Sequence, residues 1–290
     1  MTNDRRDVGL IGIGLLGTAM ATRFIAAGRN VLGFDVDARR REALEQLGGY
    51  SVENVSEVFQ RRKTLVLSLP NSDIAREVLE AARQEFTAGL TILDTTTGDP
   101  QAMAHLGSWL AEHQVDYFDA TIAGSSRQAA EGDVVGMVGG PGSLLAKCEE
   151  VLGDFCKQIF HLGDWGAGAR MKLVVNLVLG LNRAVLAEGL TLAQAMGVDA
   201  QQALEVLSAG VAYSRVMDTK GPKMIRRDFS VEARVVQHLK DVRLMLATAD
   251  EQSTSLPLSQ LHEQLLAKLA AAGFGDVDNS AIIEAFQTPA

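Results

Sequence analysis

Three glycines near the start of the chain have the spacing of a phosphate-binding turn. Gly12, Gly14 and Gly17 form the pattern G-x-G-x-x-G, which follows an apolar run and opens a helical one. In such a turn the first glycine permits the sharp bend, the second lets a pyrophosphate approach the backbone, and the third lets helix and strand pack closely. The amides at the helix N-terminus, around Leu15 and Leu16, would then bind phosphate. An ordinary strand–helix turn is the simpler alternative.

An acidic residue follows this turn at the spacing of a ribose-binding carboxylate. Asp35 ends the second predicted strand, 18 residues after Gly17. A carboxylate there accepts hydrogen bonds from ribose hydroxyls and repels a 2′-phosphate, which favours NAD over NADP. The basic run Arg39–Arg41 could instead reach a 2′-phosphate, although a solvated helix face is the simpler interpretation. We therefore expect an NAD(P) site with a preference for NAD.

Lys172 and Asn176 lie four residues apart in the most apolar long stretch of the chain, 171–196. With Gly168 and Gly180 they form one stripe along a helix. A lysine on a stripe of small residues faces a close neighbour and loses solvation, which lowers the pKa of its ammonium. A lysine that exchanges protons near neutral pH requires this lowering. The alternative is a lysine that extends to water beside an asparagine bonded to the backbone.

The first half of the chain alternates short apolar runs with amphipathic stretches, as in βαβ units. This pattern predicts an α/β fold with a doubly wound parallel sheet of the Rossmann type. The predicted strands are 8–13, 30–34, 64–69, 91–94, 116–120 and 134–138. The predicted helices are 16–27, 37–47, 72–85 and 101–113.

The second half shows helical periodicity without strand alternation. Glycines punctuate it at Gly197, Gly210, Gly221-Pro222 and Gly273. The predicted helices are 168–196, 200–209, 231–251, 256–271 and 280–286. We expect a dinucleotide-binding domain over 1–163 and an all-α substrate and dimerisation domain over 164–290.

Composition excludes several classes of protein. Apolar residues make up 47% and charged residues 22% of the 290, which is typical of a globular protein and not of a disordered one. The net charge of −9 argues against a nucleic-acid binder. Two cysteines, Cys148 and Cys156, are too few for a disulfide framework or a four-ligand zinc site, and the five histidines have no metal-ligand spacing. We expect no metal.

The start of the chain and its most apolar stretch together predict where the protein is located. The glycine pattern begins at residue 12, which leaves no room for a signal peptide, so we expect a cytoplasmic protein with reduced cysteines. Several polar residues interrupt the apolar stretch 171–196, among them Lys172, Asn176, Arg183 and Glu188. At about 3 kcal/mol for each charge at a bilayer centre, a membrane span is disfavoured.

Several segments in order along the chain resemble one family, the β-hydroxyacid dehydrogenases related to 3-hydroxyisobutyrate dehydrogenase and tartronate semialdehyde reductase. The resemblance covers about residues 7–286. The segment 166–176, Gly-Ala-Gly-Ala-Arg-Met-Lys-Leu-Val-Val-Asn, resembles the family's G-x-G-x-x-x-K-x-x-x-N catalytic pattern. Other similar segments are Leu67-Ser68-Leu69-Pro70-Asn71, Asp94-Thr95-Thr96-Thr97-Gly98-Asp99-Pro100, Asp119-Ala120-Thr121-Ile122-Ala123-Gly124-Ser125, Gly132, and Met137-Val138-Gly139-Gly140.

This resemblance implies a role for each matching residue. Lys172 would be the general acid in reduction and the general base in oxidation, and Asn176 would hold substrate oxygens, while a nicotinamide exchanges hydride with the substrate carbon. Two domains would form a cleft. The cofactor would lie beside Leu69, Pro70, Thr97 and Lys240, and Phe229 would line the substrate site. A core aromatic and a surface ion pair remain the simpler interpretation of Phe229 and Lys240-Asp241.

The sequence departs from the family where a serine helps to bind the substrate carboxylate. Ala123 replaces that serine, and Gly124 is followed by Ser125 and Ser126. If Gly124-Ser125-Ser126 opens a helix, its amides and hydroxyls could still hold an anion. A sulfonate-bearing aldehyde such as sulfolactaldehyde is one alternative substrate. Two other interpretations remain open. The loop has drifted without a change of substrate, or the protein is a non-catalytic NAD-binding sensor.

Local charge and hydropathy predict the partners of the protein. Residues 164–243 contain 11 basic and 8 acidic side chains, a balance of +3 within an acidic chain. Such a region attracts a small anionic substrate. The apolar helix of 171–196 predicts burial against a second subunit, so we expect a homodimer or homotetramer, with neither nucleic acid nor membrane as a partner.

Overall fold

The computed structural model describes residues 7–286, and the chain divides into two compact units. The boundary between them falls between Lys172 and Leu173. It lies inside one long helix, Ala167–Ala195. The predicted domain boundary at residue 163 therefore precedes that helix, whereas the boundary between the compact units lies inside it.

The first unit is built on an eight-stranded sheet. Its order is β3-β2-β1-β4-β5-β6-β7-β8. The strands are Asp7–Ile11 (β1), Asn30–Phe34 (β2), Tyr50–Ser51 (β3), Thr64–Leu67 (β4), Thr91–Asp94 (β5), Asp116–Ala123 (β6), Val134–Gly139 (β7) and Cys156–His161 (β8). β3 and β8 were not predicted, and both are edge strands. The alternation in β8 is obscured because most of its residues are exposed.

The sheet is mostly parallel, and this confirms the α/β class. One pair differs from the prediction: β7 runs antiparallel to β6, with Asp119 opposite Gly139 and Ala123 opposite Val135. The reason is the short connection of ten residues between Ala123 and Val134. A parallel crossover needs about a dozen residues or more.

Seven helices and the start of an eighth cover the two faces of this sheet. They are Leu15–Ala26 (α1), Ala38–Gln46 (α2), Val55–Arg61 (α3), Ser72–Ala81 (α4), Pro100–Glu112 (α5), Ser126–Glu131 (α6), Leu145–Leu152 (α7) and Ala167–Ala195 (α8). Side chains of a strand alternate between two cores: Val8 and Leu10 of β1 belong to one, and Ile11 belongs to the other. This is the double-sided burial of a doubly wound sheet. Cys148 and Cys156 are free and buried, as predicted.

The second unit is helical and has its own core. After α8 the helices are Ala200–Ala209 (α9), Arg215–Arg226 (α10), Val235–Glu251 (α11) and Pro257–Leu269 (α12), followed by a 3₁₀-helical segment, Asn279–Phe286. The sequence did not predict α10, because Gly221-Pro222 was interpreted as a break. Both residues lie inside the helix, where a Cβ atom at Gly221 would be 2.6 Å from the side chain of Leu204. Glycine at this position permits close packing of α10 on α9.

Within residues 7–286 one helix, α8, is long and apolar enough to cross a membrane by length and composition alone. The core helix of a globular protein passes the same test. Leu173, Leu186 and Leu190 of α8 lie in the core of the second unit. The polar residues Asn176 and Arg183 are also buried. We therefore describe α8 as a core helix.

Candidate active site

The three glycines of the predicted phosphate-binding turn lie where β1 passes into α1. Gly12 has a φ of +92°, and a Cβ atom there would lie 2.2 Å from the carbonyl oxygen of Ser68. A Cβ atom at Gly17 would lie 2.1 Å from the carbonyl oxygen of Gly12, so only glycine lets helix and strand approach this closely. At Gly14 a Cβ atom would meet only a terminal nitrogen of Arg40, at 3.8 Å. Gly12 and Gly17 are therefore required by the fold, while Gly14 borders open space.

This turn fits the diphosphate of a dinucleotide. Gly14 is the N-cap of α1, no side chain hydrogen-bonds at the cap, and the first turn contains no acidic residue. Helix N-termini whose backbone amides have no hydrogen-bond acceptor bind phosphate groups. Leu15 and Leu16 begin the helix, and their amides would hold the diphosphate of NAD(P).

Asp35 lies at the end of β2 beside this turn. Its carboxylate accepts hydrogen bonds from the amide of Ile13 at 2.7 Å and from the amide of Asp37 at 2.9 Å. The side chain is 5% exposed, so these bonds fix its position at the strand end. Arg40 lies 3.3 Å from the same carboxylate, and Arg41 donates to the Asp35 carbonyl oxygen at 2.8 Å.

Arg39 and Arg40 are exposed, as a solvated helix face predicts, and Arg41 is half-buried. Arg39 fits that interpretation, since it is exposed and pairs with Asp37. Arg40 and Arg41 also contact Asp35. Because Arg40 contacts both Asp35 and the open side of Gly14, one cation lies next to the predicted ribose and diphosphate positions.

The loops after β4 and β5 are tied together near the predicted nicotinamide side. The amide of Leu69 donates to the Thr96 hydroxyl at 3.1 Å, and the Thr96 amide donates to Asp94 at 3.0 Å. Pro70 is exposed and Thr97 is half-buried. Both loops follow the carboxyl ends of parallel strands, where ligands bind in open α/β sheets.

The segment after β6 begins a helix, as predicted, and its serine has a capping role. Ser125 is the N-cap of α6: its hydroxyl accepts from the Gln128 amide at 3.2 Å, and its own amide donates to the Gln128 side chain at 2.9 Å. Gly124 is exposed, with a φ of +148°. Ala123 and Ser126 are half-buried on either side. An anion that used the Ser125 amide would therefore have to displace Gln128.

Lys172 lies at the carboxyl end of β6. Its ammonium donates a hydrogen bond to the carbonyl oxygen of Ile122 at 2.6 Å. Thr121 donates to the carbonyl oxygen of Gly168 at 3.0 Å, one turn earlier on α8. A Cβ atom at Gly168 would lie 2.4 Å from the Asp119 carbonyl oxygen, so glycine is needed for this close approach.

The sequence analysis did not assign a role to Asp119, which holds the start of α8. Its carboxylate accepts from the amides of Gly166 at 2.7 Å and Ala169 at 2.8 Å. Burial raises the pKa of the Asp119 carboxyl to about 6, although the same two amides lower it. A long-range cap of this kind leaves no local signal in the sequence, because the partners are 47 and 50 residues apart.

The second unit contains the other predicted site residues. Asn176 is buried and donates to Asp241 at 3.0 Å. Lys240 lies 3.1 Å from the other oxygen of Asp241, which is the ion pair considered in the sequence analysis. Phe229 packs edge to face on Phe274, with ring centroids 6.4 Å apart. Asp241, considered from the sequence only as the partner of Lys240, also accepts from Asn176 across 65 residues, a contact that was not predicted.

Two family models together match most of the chain. The NAD-binding domain of 6-phosphogluconate dehydrogenase matches residues 7–163. The NAD-binding domain of NADP-dependent 3-hydroxyisobutyrate dehydrogenase matches residues 166–286.

Curated relatives span nearly the whole chain. The 2-(hydroxymethyl)glutarate dehydrogenase of Eubacterium barkeri is 32% identical over 97% of this chain and 94% of its own. The 2-hydroxy-3-oxopropionate reductase of Escherichia coli is 28% identical over 97% of each chain. The glyoxylate/succinic semialdehyde reductase 1 of Arabidopsis thaliana is 26% identical over 96% of this chain and 98% of its own.

Solved structures share the fold. The crystal structure of 3-hydroxyisobutyrate dehydrogenase from Salmonella typhimurium has a TM-score of 0.89 at 23% identity and covers 96% of this chain and 99% of that one. Taken together, the glycine turn, the family models and the full-length relatives show that the chain belongs to the β-hydroxyacid dehydrogenase family of NAD(P)-dependent oxidoreductases.

Proposed function

We propose that the protein exchanges hydride between a nicotinamide cofactor and a small β-hydroxyacid or its semialdehyde, with Lys172 as general acid and base. The observation that carries this proposal is the position of the Lys172 ammonium, 2.6 Å from the Ile122 carbonyl oxygen at the carboxyl end of β6. Asn176 follows one helical turn later on α8. An amine fixed at the ligand-binding edge of the sheet has the placement that proton transfer to a bound substrate requires.

NAD(P)H, when bound, supplies the hydride. Lys172 donates a proton to the substrate carbonyl oxygen as that oxygen gains negative charge, and the product is the alcohol. In the oxidative direction the Lys172 amine accepts the hydroxyl proton. Asn176 orients substrate oxygens, and this positioning lowers the entropic part of the barrier.

We further propose that the substrate is a small anion. The names of three relatives refer to 2-(hydroxymethyl)glutarate, 2-hydroxy-3-oxopropionate and succinic semialdehyde, which all carry a carboxylate. The balance of +3 in residues 164–243 supports an anion in this protein. Ala123 in place of the family's serine, with Ser126 following, keeps a sulfonate-bearing aldehyde as the second candidate.

A panel assay tests the activity and the substrate class together. The purified protein is offered NADH or NADPH with 2-hydroxy-3-oxopropionate, succinic semialdehyde, glyoxylate and sulfolactaldehyde, and NAD or NADP with 2-(hydroxymethyl)glutarate and L-threonate. Uncharged aldehydes of similar size serve as controls. We expect turnover of at least one carboxylate compound; faster turnover of the sulfonate would select the second candidate. Tight NADH binding without turnover of any compound would contradict the proposal and favour a sensor.

We propose NAD as the preferred cofactor, since Asp35 is fixed at the end of β2 by two backbone amides. A buried carboxylate at this position repels a 2′-phosphate. The Arg40 guanidinium, 3.3 Å from the Asp35 carboxylate, would attract that phosphate, so the two side chains together would set the cofactor preference.

We also propose a cytoplasmic homodimer or homotetramer, with neither nucleic acid nor membrane as a partner. Exposed apolar side chains follow one face of α8 and the residue after it, at intervals of three, four or seven residues: Met171, Val174, Val178, Val185, Leu192 and Met196. From Val174 to Met196 this stripe is about 33 Å long at 1.5 Å per residue. A second copy would present the same stripe, and a two-fold axis would pair apolar with apolar surface. The length suits an interface of about 800 Å² on each subunit.

Light scattering after gel filtration tests the assembly. We expect a mass of two or four times the 31.0 kDa chain. The double substitution Val178→Asp and Val185→Asp should reduce the mass, while Tyr50→Asp, on the β3 edge of the sheet, should not. A monomeric wild-type protein would contradict the proposal.

A further inference from the structure

We infer that Asp119 is a positioning residue for Lys172: its carboxylate fixes the N-terminus of α8 on the sheet and thereby the height of the lysine above the end of β6. This inference rests on the proposed role of Lys172 as acid and base. Because its carboxylate accepts hydrogen bonds from the amides of Gly166 and Ala169, Asp119 would act through the helix.

The carboxylate contacts the helix start through both oxygens. One accepts from the amide of Gly166 at 2.7 Å, and the other accepts from the amide of Ala169 at 2.8 Å. The first amides of a helix have no acceptor within the helix, and a negative charge there is favoured by the helix dipole. Asp119 therefore replaces a local N-cap, and it does so from the neighbouring sheet.

The pocket around this carboxylate leaves little room for movement. Asp119 is fully buried. A Cβ atom at Gly139 would lie 2.4 Å from one carboxylate oxygen, and a Cβ atom at Gly168 would lie 2.9 Å from the other. The two glycines let the strand β7 and the helix α8 close directly on the charge. A helix held by such an enclosed group has one favoured depth on the sheet.

The same strand then meets the helix twice more towards Lys172. The Thr121 hydroxyl donates to the carbonyl oxygen of Gly168 at 3.0 Å, and Lys172 donates to the carbonyl oxygen of Ile122 at 2.6 Å. Ala169 and Lys172 are three residues apart, about 4.5 Å along the axis. Because so short and regular a segment transmits displacement directly, a shift of the capped end would move the ammonium by a similar distance.

A carboxylate buried away from water is unfavourable unless other groups pair with it or hydrogen-bond to it. Burial raises the pKa of Asp119 to about 6, and the amides of Ala169 and Gly166 lower it. The neighbouring strand places Asp94 opposite Asp119, and this second buried carboxyl also has a pKa raised to about 6, chiefly by burial. An apolar residue at position 119 would avoid the free-energy cost of burying a charge, but it would leave the two helix amides without acceptors.

The deciding comparison is between Asp119→Ala, Asp119→Asn and the control Asp94→Asn. Asp94 is equally buried and lies in register with Asp119, but it accepts from the Thr96 amide and the Tyr117 hydroxyl and not from α8. Asp119→Asn keeps one acceptor oxygen and should fall between the wild type and alanine. Comparing the two positions separates loss of a buried carboxylate from loss of the helix cap.

The readout is the reactivity of the Lys172 amine itself, measured without substrate. Competitive labelling with acetic anhydride over a pH series, followed by peptide mass spectrometry, reports the pKa and the accessibility of Lys172. We expect Asp119→Ala to raise the labelling rate about tenfold, because two buried helix amides lose their acceptor and the start of α8, with Lys172, is no longer fixed on the sheet. Asp94→Asn should leave the rate near that of the wild type.

Turnover gives the second readout if the panel assay finds a substrate. We expect kcat to fall about 100-fold in Asp119→Ala, since misplacement by 1 Å has an effect of that order, while the KM for the cofactor stays near its wild-type value. Wild-type labelling and kcat in a folded Asp119→Ala protein would overturn the inference. Equal effects of Asp119→Asn and Asp94→Asn would also overturn it, because they would indicate general loosening.

Failure of the proposed function would look different from failure of this inference. An inactive wild-type protein whose Lys172 labelling still responds to Asp119 alone would contradict the proposed activity and support the positioning. If Asp119→Ala does not fold, the decision falls to Asp119→Asn together with Thr121→Val, which removes the hydroxyl contacts to the carbonyl oxygens of Gly168 and Met137. Both are then expected to change Lys172 labelling more than Asp94→Asn does, and the reverse order would overturn the inference.

Discussion

The Lys172 ammonium donates its hydrogen bond to a backbone atom, the carbonyl oxygen of Ile122, at 2.6 Å. Ile122 lies in β6 and pairs with Gly136 of β7, so sheet pairing rather than a side-chain rotamer fixes the acceptor. The lysine is therefore oriented by an interior strand of the sheet, paired on both sides.

The glycines of the phosphate-binding turn should separate into two classes when replaced by alanine. Gly17→Ala brings a Cβ atom to 2.1 Å from the Gly12 carbonyl oxygen, so unfolding free energy should fall by more than about 2 kcal/mol. Gly14→Ala has room, so the protein should remain folded while affinity for NADH falls about tenfold, because the new methyl group stands where phosphate would approach. Urea unfolding and fluorescence titration with NADH measure the two quantities. Equal loss of stability in both variants would contradict this division.

The choice between NAD and NADP should depend on Asp35 and Arg40 together. Asp35→Ser removes the charge that repels a 2′-phosphate and leaves Arg40 without its carboxylate partner, so kcat/KM for NADPH should rise about tenfold relative to NADH. Adding Arg40→Ala to Asp35→Ser should cancel much of this gain. The exposed Arg39, which pairs with Asp37, provides the matched control Arg39→Ala. Asp35→Ser with an unchanged cofactor ratio would exclude Asp35 as the discriminator.

The second unit should lose stability in mild acid through His262. Burial, followed by the nearby Arg183 charge, lowers the pKa of this imidazole to about 4. Because an unfolded histidine has a pKa near 6.5, the unfolded chain takes up the proton first. The neutral imidazole of His262 therefore contributes its full stabilisation above about pH 6.5. Below that pH the free energy of unfolding falls, by about 3 kcal/mol in total once the pH has passed through 4.

Replacement of the imidazole tests this pH dependence. In His262→Gln the free energy of unfolding, measured with urea at several pH values, should fall less steeply between about pH 6.5 and 4 than in the wild type. The exposed His105 provides the control His105→Gln. A slope in His262→Gln equal to that of the wild type would show that this histidine does not cause the acid sensitivity.

The features that the sequence predicted are those whose causes are local. Gly12, Gly14 and Gly17 lie in one turn, and Ser125 starts its helix through contacts three residues away, so pattern alone reveals them. The edge strand β8 has mostly exposed residues, and α10 contains Gly221-Pro222, so local patterns were misleading there.

Contacts between distant segments could not be predicted from the sequence. Asp119 meets Gly166 and Ala169 only because β6 and the start of α8 pack together. Asn176 meets Asp241 only after α8 and α11 pack in the second unit. The sequence therefore identified residues that could take part in the reaction but not those that hold them in place.

The kcat of Lys172→Met, measured by NADH absorbance on a substrate that the wild-type protein turns over, tests the central claim most directly. Methionine keeps the apolar length of the side chain but cannot donate or accept the proton. We predict that kcat falls about 10³-fold while NADH affinity and unfolding free energy stay near wild-type values, with the surface variant Lys157→Met as the control. A kcat within about threefold of wild type would contradict the assignment of Lys172 as general acid and base.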